Sequence, residues 1–566
     1  MLLKNSFYTV LIFAIVMGFS ACSSEDTDGP GYSYPACGSG EYSGSYLLPG
    51  PGEAGYDADL ALLARRYDRV FHAVVAPAHG VNCDVSINVD ATEHRDLLQR
   101  FATEDDGWDF EAFSGGQSGM DMVDGYHKVA GLYGGTGAAA EAMRYEVLKR
   151  QGAPCEEIEV ARQHLVKALE ATNIAFTIAG IPGVVVRGFM RTDVPGYGST
   201  LETVPLADAN GNPLPEEKDN GTWREDNSGL YPNYRFEDSC SRDMMLGWAS
   251  AVALGYEVIK DDPAFPEAMK EQIRTNARNV LMELMKVRES GYDLEFPDAD
   301  GRITYHGYIN EEAMERATYI SGFRNGFYAL MALGIVSAFT YAADDPELEN
   351  YLYDELIAKR DLPGIALDNM LYINMGTQSN FSNYNMAFGS ALLALRYIND
   401  STARATIAEA VETQLYNTPN TDFQPIGSQM SFYDFIKAYA DGGGTIWSQP
   451  DGSVNPQQLA DGIDGLKGFV TPPYYDYKVE QCDETELASG DCVFENGTEA
   501  EVYDEGGRKG STVCNKPIPK AIRRPSNYEW RSNPYNPNGG GEGGNLLPGI
   551  DFRIAYWLGR FLETPQ

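Results

Sequence analysis

EDSCSRDMMLGWASAVALGYEVIKDD, residues 237–262, decides how the chain is read. Polar residues around an Arg242–Asp243 pair give way to an apolar run. Within it Gly247, Ala249, Ala251, Ala253 and Gly255 keep the surface small, and the run ends at an acidic turn before Pro263. A helix this apolar and this small-sided must be packed among other helices, so the charged pair at its N-terminal end faces a central cavity rather than bulk water.

Outward from that stretch, the same design repeats. DADLALLARRYDRVFHAVV, from Asp57, places Leu60, Leu63, Tyr67, Val70 and Phe71 on one helical face. Further helices are expected near 93–102 and 122–133, then over 136–150, 156–177, 241–260, 264–289, 311–345, 347–358, 383–398, 402–416 and 430–440, with IDFRIAYWLGRFLE as a closing amphipathic helix. Strand signals are few. VNCDVSINVD reads as extended, and the β-branched run in IAGIPGVVVRGFMRTD carries Arg187 outward. Residues 196–233 read as a loop with hairpin signals at Asn210-Gly211 and Asn220-Gly221, and the last hundred-odd residues before the closing helix as irregular. No 34- or 40-residue repeat is visible, which counts against a helical-repeat array. The pattern predicts a mainly α fold, an (α/α)6 toroid-like helical barrel whose long, chemically rich loops converge on one mouth.

The first residues read as an export leader, with Lys4 before an apolar run from Phe7 to Phe19. Phe19-Ser20-Ala21-Cys22 resembles a lipobox, which makes Cys22 the expected lipidation site; Ser23 rather than Asp after it points to the outer membrane. The expected layout is a signal peptide over 1–21, a flexible Gly/Ser/Pro/Tyr-rich tether over 22–55, and a single toroid domain over 56–566 with a loop-rich, disulfide-stapled insertion near 475–520. No later segment is expected to approach membrane-spanning length. A formal net charge of -39 argues against nucleic acid as a partner. Apart from Cys22, the cysteines are Cys37, Cys83, Cys155, Cys240, Cys482, Cys492 and Cys514, an odd number; the trio at 482, 492 and 514 is expected to hold one disulfide. There is no CxxC or CxxCH, and no metal or other cofactor is indicated.

GIPGVVVRGF, SRDMMLGW, SNFSNYNMAF, RRPSNYEWRSNPY and DFRIAYWLGR resemble motifs of a group of bacterial cell-surface lipoproteins with a toroid fold. The layout as a whole resembles the (α/α)6 barrels of secreted glycoside hydrolases and polysaccharide lyases. The resemblance implies the fold and a polysaccharide or oligosaccharide partner, but brings no activity of its own, so the chemistry has to come from the residues.

Asp243 beside Arg242 at a helix start is the first candidate, as a base or a ligand for sugar hydroxyls. His306 follows, in DADGRITYHGYIN, where Tyr305 supplies an aromatic face and the imidazole a group that titrates near neutrality. Hydrolysis would require a second carboxyl group, for which Glu237, Asp238 and Asp551 are available. Elimination across a uronic acid would use His306 and a tyrosine, with Arg187 or Arg531 neutralising the carboxylate. Asn380, Asn383 and Asn385 present amides that either cap the next helix or bind sugar. Arg523, Arg524, Trp530 and Arg531 form a basic and aromatic cluster in an acidic chain. Asp298-Ala299-Asp300-Gly301 reads as a hairpin turn more than a calcium loop, and His72, His79, His94, His127 and His164 as structural. GxSxG, HExxH and P-loop motifs are absent, as is a strand-bound GxGxxG. The expected function is a surface-anchored carbohydrate-active enzyme, hydrolase or lyase, with a non-catalytic glycan-binding or structural lipoprotein as the alternative.

Overall fold

The run after Asp243 forms the helix its composition demands. Arg242–Ile259 is helical, and from Met244 to Ile259 only Glu257 is not fully buried. The computed structural model describes residues 34–41, 45–313, 322–375, 380–419, 424–442, 453–478, 481–504, 512–519, 533–537 and 540–564. Twelve of its helices alternate between two layers. The inner ones are α2 (Gly131–Arg150), α4 (Arg242–Ile259), α6 (Gly326–Ala343), α8 (Ser382–Tyr397), α10 (Ser431–Gly442) and α12 (Ile550–Phe561). Each packs on the next and α12 packs back on α2, so the inner layer is a closed ring. The outer helices are α1 (Ala58–Val70), α3 (Cys155–Thr177), α5 (Glu267–Leu284), α7 (Pro346–Asn350), α9 (Ser401–Ala410) and α11 (Pro456–Lys467). Each leans on an inner helix. The fold is an (α/α)6 toroid.

Sequence sets the layers. Outer helices begin at side-chain caps, Asp57 for α1, Asp345 for α7, Asp400 for α9 and Asn455 for α11, each accepting from a backbone N–H of the first turn. Inner helices are buried on nearly every side, and the charged residues they carry, such as Glu141 and Arg144 of α2 and Arg553 of α12, are paired with one another. α2 and α4 touch backbone to backbone, and a methyl on Gly135 would overlap the Gly247 carbonyl. Trp248 is then sealed beneath, its indole N–H donating to the Val186 carbonyl at 3.1 Å. α6 is long and apolar enough to cross a membrane, contrary to the expectation that nothing past the leader would be, but it is buried within the ring.

The inner helices run parallel. Gly137 in the first half of α2 lies against Ile550 at the start of α12, while Arg150 at the end of α2 donates to the Phe561 carbonyl at the end of α12 (3.0 Å). The same holds round the ring. Gly131 meets Met244 at the starts of α2 and α4, Tyr341 meets Tyr256 and Tyr397 at the ends of α6, α4 and α8, and Asn385 meets Tyr433 at the starts of α8 and α10. The N-termini therefore open on one mouth. At the other end Arg396 of α8 closes the ring. Its Nε donates to Glu257 of α4 (2.7 Å), Tyr439 of α10 lies within 3.4 Å, and its guanidinium stacks over Phe561 of α12 at 4.6 Å.

Residues 34–41 and 45–55, expected as part of a flexible tether, are instead a strap across that closed end. Tyr34 donates to Glu146 (2.7 Å), Cys37 is disulfide-bonded to Cys155, and Leu47 and Leu48 pair with Leu562 and Gly559 through their backbones. The physical reason is local: Tyr46-Leu47-Leu48 is an apolar triplet, buried against the end of α12, and the disulfide closes a loop with a separation of 118 residues.

Short strands frame the open mouth. β1 (Val129–Ala130), β2 (Gly188–Arg191), β3 (Trp223–Glu225) and β4 (Tyr234–Glu237) form an antiparallel sheet in the order β1-β2-β4-β3. β5 (Glu295–Pro297) and β6 (Ile303–Tyr308) make a hairpin. The region read as irregular holds α11 and a small sheet from residues 491–514, beside which Cys482 and Cys492 are joined and Cys514 is a buried thiol. Of the expected helix over 311–345, the described residues show a turn at 311–313 and a helix over Gly326–Ala343; residues 314–321 lie outside the described residues.

Candidate functional site

β4 ends at Glu237 and α4 begins at Arg242, so residues 238–241 carry the chain from the mouth sheet into the ring. Ser239 holds this turn at φ 63, a left-handed value costly for a residue with a side chain. What pays for it is buried charge. The Ser239 N–H donates to Asp298 Oδ2 (2.8 Å) and the Tyr305 N–H to Ser239 Oγ (2.9 Å), while Thr304 Oγ1 donates to the Cys240 carbonyl (2.7 Å). Lys218 sits among Asp298, Asp300 (2.9 Å) and Asp238 (3.7 Å), and Arg224 Nε donates to Asp238 at 2.9 Å. The Asp298–Gly301 segment is thus a hairpin turn whose carboxylates are occupied by a lysine.

On this base stand the candidate residues. Lys128 donates to Glu237 (2.6 Å), and Arg187 Nε lies 3.7 Å from the same carboxylate. Arg187 Nη1 donates to Ser241 Oγ (2.8 Å) and to Asn220 Oδ1 (3.2 Å), and Ser241 donates in turn to Asp243. The sequence reading carried Arg187 outward; these partners hold it inward at the mouth. His306 lies in the electric field of Arg242, Asp243 and Arg187. Burial first, then the Arg242 charge, hold its pKa below the ordinary histidine range, so the imidazole is neutral at pH 7. Tyr305 stands edge-on to it at 4.6 Å with half its surface exposed. Asp243, His306, Tyr305, Glu237, Arg187 and Arg242 therefore belong to one group.

Other candidates stand apart from this group. Asp551, in the first turn of α12, is buried at the same mouth, and its charge acts on Tyr67 of α1. Asn380 Oδ1 accepts from the Ser382 N–H (3.2 Å) at the start of α8, which is a capping role. Asn383 Nδ2 donates to the Tyr372 carbonyl (3.4 Å), and Asn385 accepts from Tyr433 of α10; both are buried in helix packing. Arg523, Arg524, Trp530 and Arg531, and the lipidation site Cys22, lie outside the described residues. Sequence reading missed Lys128, the partner of Glu237, and Tyr328, whose ring flanks Arg242 together with that of Tyr308. The Lys128–Glu237 pair spans 109 positions, and no local pattern announces it.

Two clusters have metal-ligand chemistry. His72, Glu141 and His164 bring ligand atoms within 4.8 Å of one another. Arg144 Nη1 already donates to His164 Nδ1 (3.0 Å) and Glu141 Oε2 (3.2 Å), and Arg144 and Arg553 offset the charges of Asp68 and Glu141. A dication there would displace a guanidinium and add uncompensated charge, so the cluster does not fit a metal. In the second cluster, Cys482 and Cys492 are consumed by their disulfide, and burial pushes the Cys514 thiol up to about 12, away from the thiolate a metal requires.

No protein-family model and no curated protein matches the sequence. Among solved structures, the chain is similar to the cellulase Cel9M of C. cellulolyticum, at 11% identity over 90% of this chain and 99% of that one, with a TM-score of 0.36. It is also similar to the endoglucanase CelQ from Clostridium thermocellum, at 11% identity over 90% and 72%, with a TM-score of 0.37. A third is a metagenome-derived glycoside hydrolase family 9 endoglucanase, at 12% identity over 89% and 80%, with a TM-score of 0.28. The toroid itself is defined by the ring of contacts within the chain.

Proposed function

We propose that this chain is a carbohydrate-active enzyme that cleaves a glycan at the open mouth, tethered to the outer membrane through Cys22. The observation that carries the reading is the meeting of a neutral imidazole, a carboxylate, two guanidinium groups and an exposed aromatic face at one end of a helical ring. These are what a polyhydroxylated chain needs for stacking, orientation and proton transfer. Elimination fits better than hydrolysis. Hydrolysis needs two available carboxyl groups across the scissile bond, yet Glu237 is engaged by Lys128 and Arg187, Asp238 by Arg224 and Lys218, and Asp551 is buried. His306, neutral and under the charges of Arg242 and Asp243, is suited to take a proton from the carbon next to a sugar carboxyl group. The electrons left behind form a carbon–carbon double bond, the C–O bond to the departing sugar breaks, and the departing oxygen takes a proton from Tyr305 or from the imidazolium.

Incubation with acidic and neutral polysaccharides separates the outcomes. Elimination yields an unsaturated product that absorbs in the near ultraviolet, whereas hydrolysis yields new reducing ends without it. Asp243→Asn and His306→Ala are each expected to abolish turnover; full activity in both variants refutes the assignment. Glycan binding without product of either kind supports the alternative, a binding lipoprotein.

A further inference from the structure

Arg242 differs from its neighbours. In a chain of net charge -39, Arg187, Arg224, Arg302, Arg360 and Arg396 each have a carboxylate within salt-bridge range. Arg242 has none among the described residues. Its Nε and Nη1 are buried without a hydrogen-bond partner, and its guanidinium rests on the faces of Tyr328 and Tyr308, 5.3 and 5.7 Å from their centroids. Desolvating a cation without pairing it is costly, and a fold keeps such a group where a ligand completes it. Arg242 is also the first residue of α4, at the end of the ring where six helix N-termini converge and an anion is favoured. Arg187, the expected neutraliser, is already engaged by Glu237, Ser241 and Asn220.

We propose that Arg242 is the receptor for an anionic group of the glycan, a carboxylate or a sulfate ester, drawn to the charge of its part-buried guanidinium while the two tyrosine rings hold that group in place. The inference rests on the mouth being the glycan site and specifies the class of glycan as acidic. The strong acceptors of such a group match the planar fork of arginine better than any sugar hydroxyl does.

The test is calorimetric titration of the whole protein with trigalacturonate, dextran sulfate and cellotriose, beside melting curves of wild type, Arg242→Met and Arg242→Lys. Wild type is expected to bind one of the two anionic probes at least about ten-fold tighter than cellotriose, and which one identifies the source of the charge. Arg242→Met is expected to lose that margin while melting at the same temperature or higher, because it removes a part-buried charge that no carboxylate pairs. Arg242→Lys keeps charge without the fork and retains part of the margin; it carries the test should the methionine variant not fold. Equal affinity for cellotriose, or unchanged anion binding in both variants, overturns the inference. Anion binding through Arg242 without any product would sink the catalytic reading and leave this one standing. Turnover of a neutral glycan that Arg242→Met leaves intact would do the reverse.

Discussion

Ser241 is one hydroxyl on which the mouth depends: it accepts from Arg187 and donates to Asp243, so a guanidinium and a carboxylate are held in fixed relation without touching. The charge state of His306 follows from this setting. If His306 is the base, kcat/KM is expected to stay level from neutral pH upward and to fall only below the ordinary histidine value of about 6.5. In Arg242→Met the acid limb moves upward, since one cause of the depressed pKa is gone; a wild-type limb above that value counts against the role. Beneath the site, Lys218 answers three carboxylates. Lys218→Met leaves Asp238, Asp298 and Asp300 without that cation, and a loss of about 3–5 kcal/mol in denaturant unfolding is expected. The same variant should lose turnover, because the 238–241 turn is tied to Asp298; unchanged stability would mean the cluster is not the support described.

Among the elements, α2 and α4 form the tightest joint. Gly135→Ala forces the two backbones apart and is expected to cost about 1–3 kcal/mol, measured by urea unfolding, whereas alanine at exposed Gly211 leaves this joint untouched. The small residues of α4 and its apolar run were legible in the sequence, as were most inner helices, because a buried helix cannot hide its composition. The mouth strands were not. Runs of two to six residues are too short to show a period of two, and the pairs that build the site, such as Lys128 with Glu237, join segments more than a hundred residues apart. Arg242 and Asp243 were recognisable at the mouth because they open a core helix. That Asn383 and Asn385 serve packing was not, since an amide before an apolar run looks the same whether it faces a cavity or a neighbouring helix.

For the whole molecule, acid is the weak side. Burial, with the Arg191 charge, holds the His79 pKa at about 3, and burial also lowers those of His72 and His164. Because these folded values lie below the unfolded value of about 6.5, the unfolded chain takes up protons first as pH falls. The contribution of these histidines is complete above about pH 6.5 and declines below it, by about 1.4 kcal/mol per pH unit for each until its folded pKa is reached, partly offset by Glu563, whose carboxyl burial raises to about 7. Melting temperatures across pH 4–8 check this; a plateau down to pH 4 would contradict it. The strap over the closed end was hidden by its Gly, Ser and Pro content, although Cys37 and the Tyr46-Leu47-Leu48 triplet were its signals.

The knot around Arg396 makes the toroid a cup instead of a tunnel. No polymer can thread through and be paid out on the far side, so processive sliding along an axial bore is not open to this architecture. A long glycan, if the proposed reading holds, would have to lie across the rim or dip an end inside, and would leave by the route of entry.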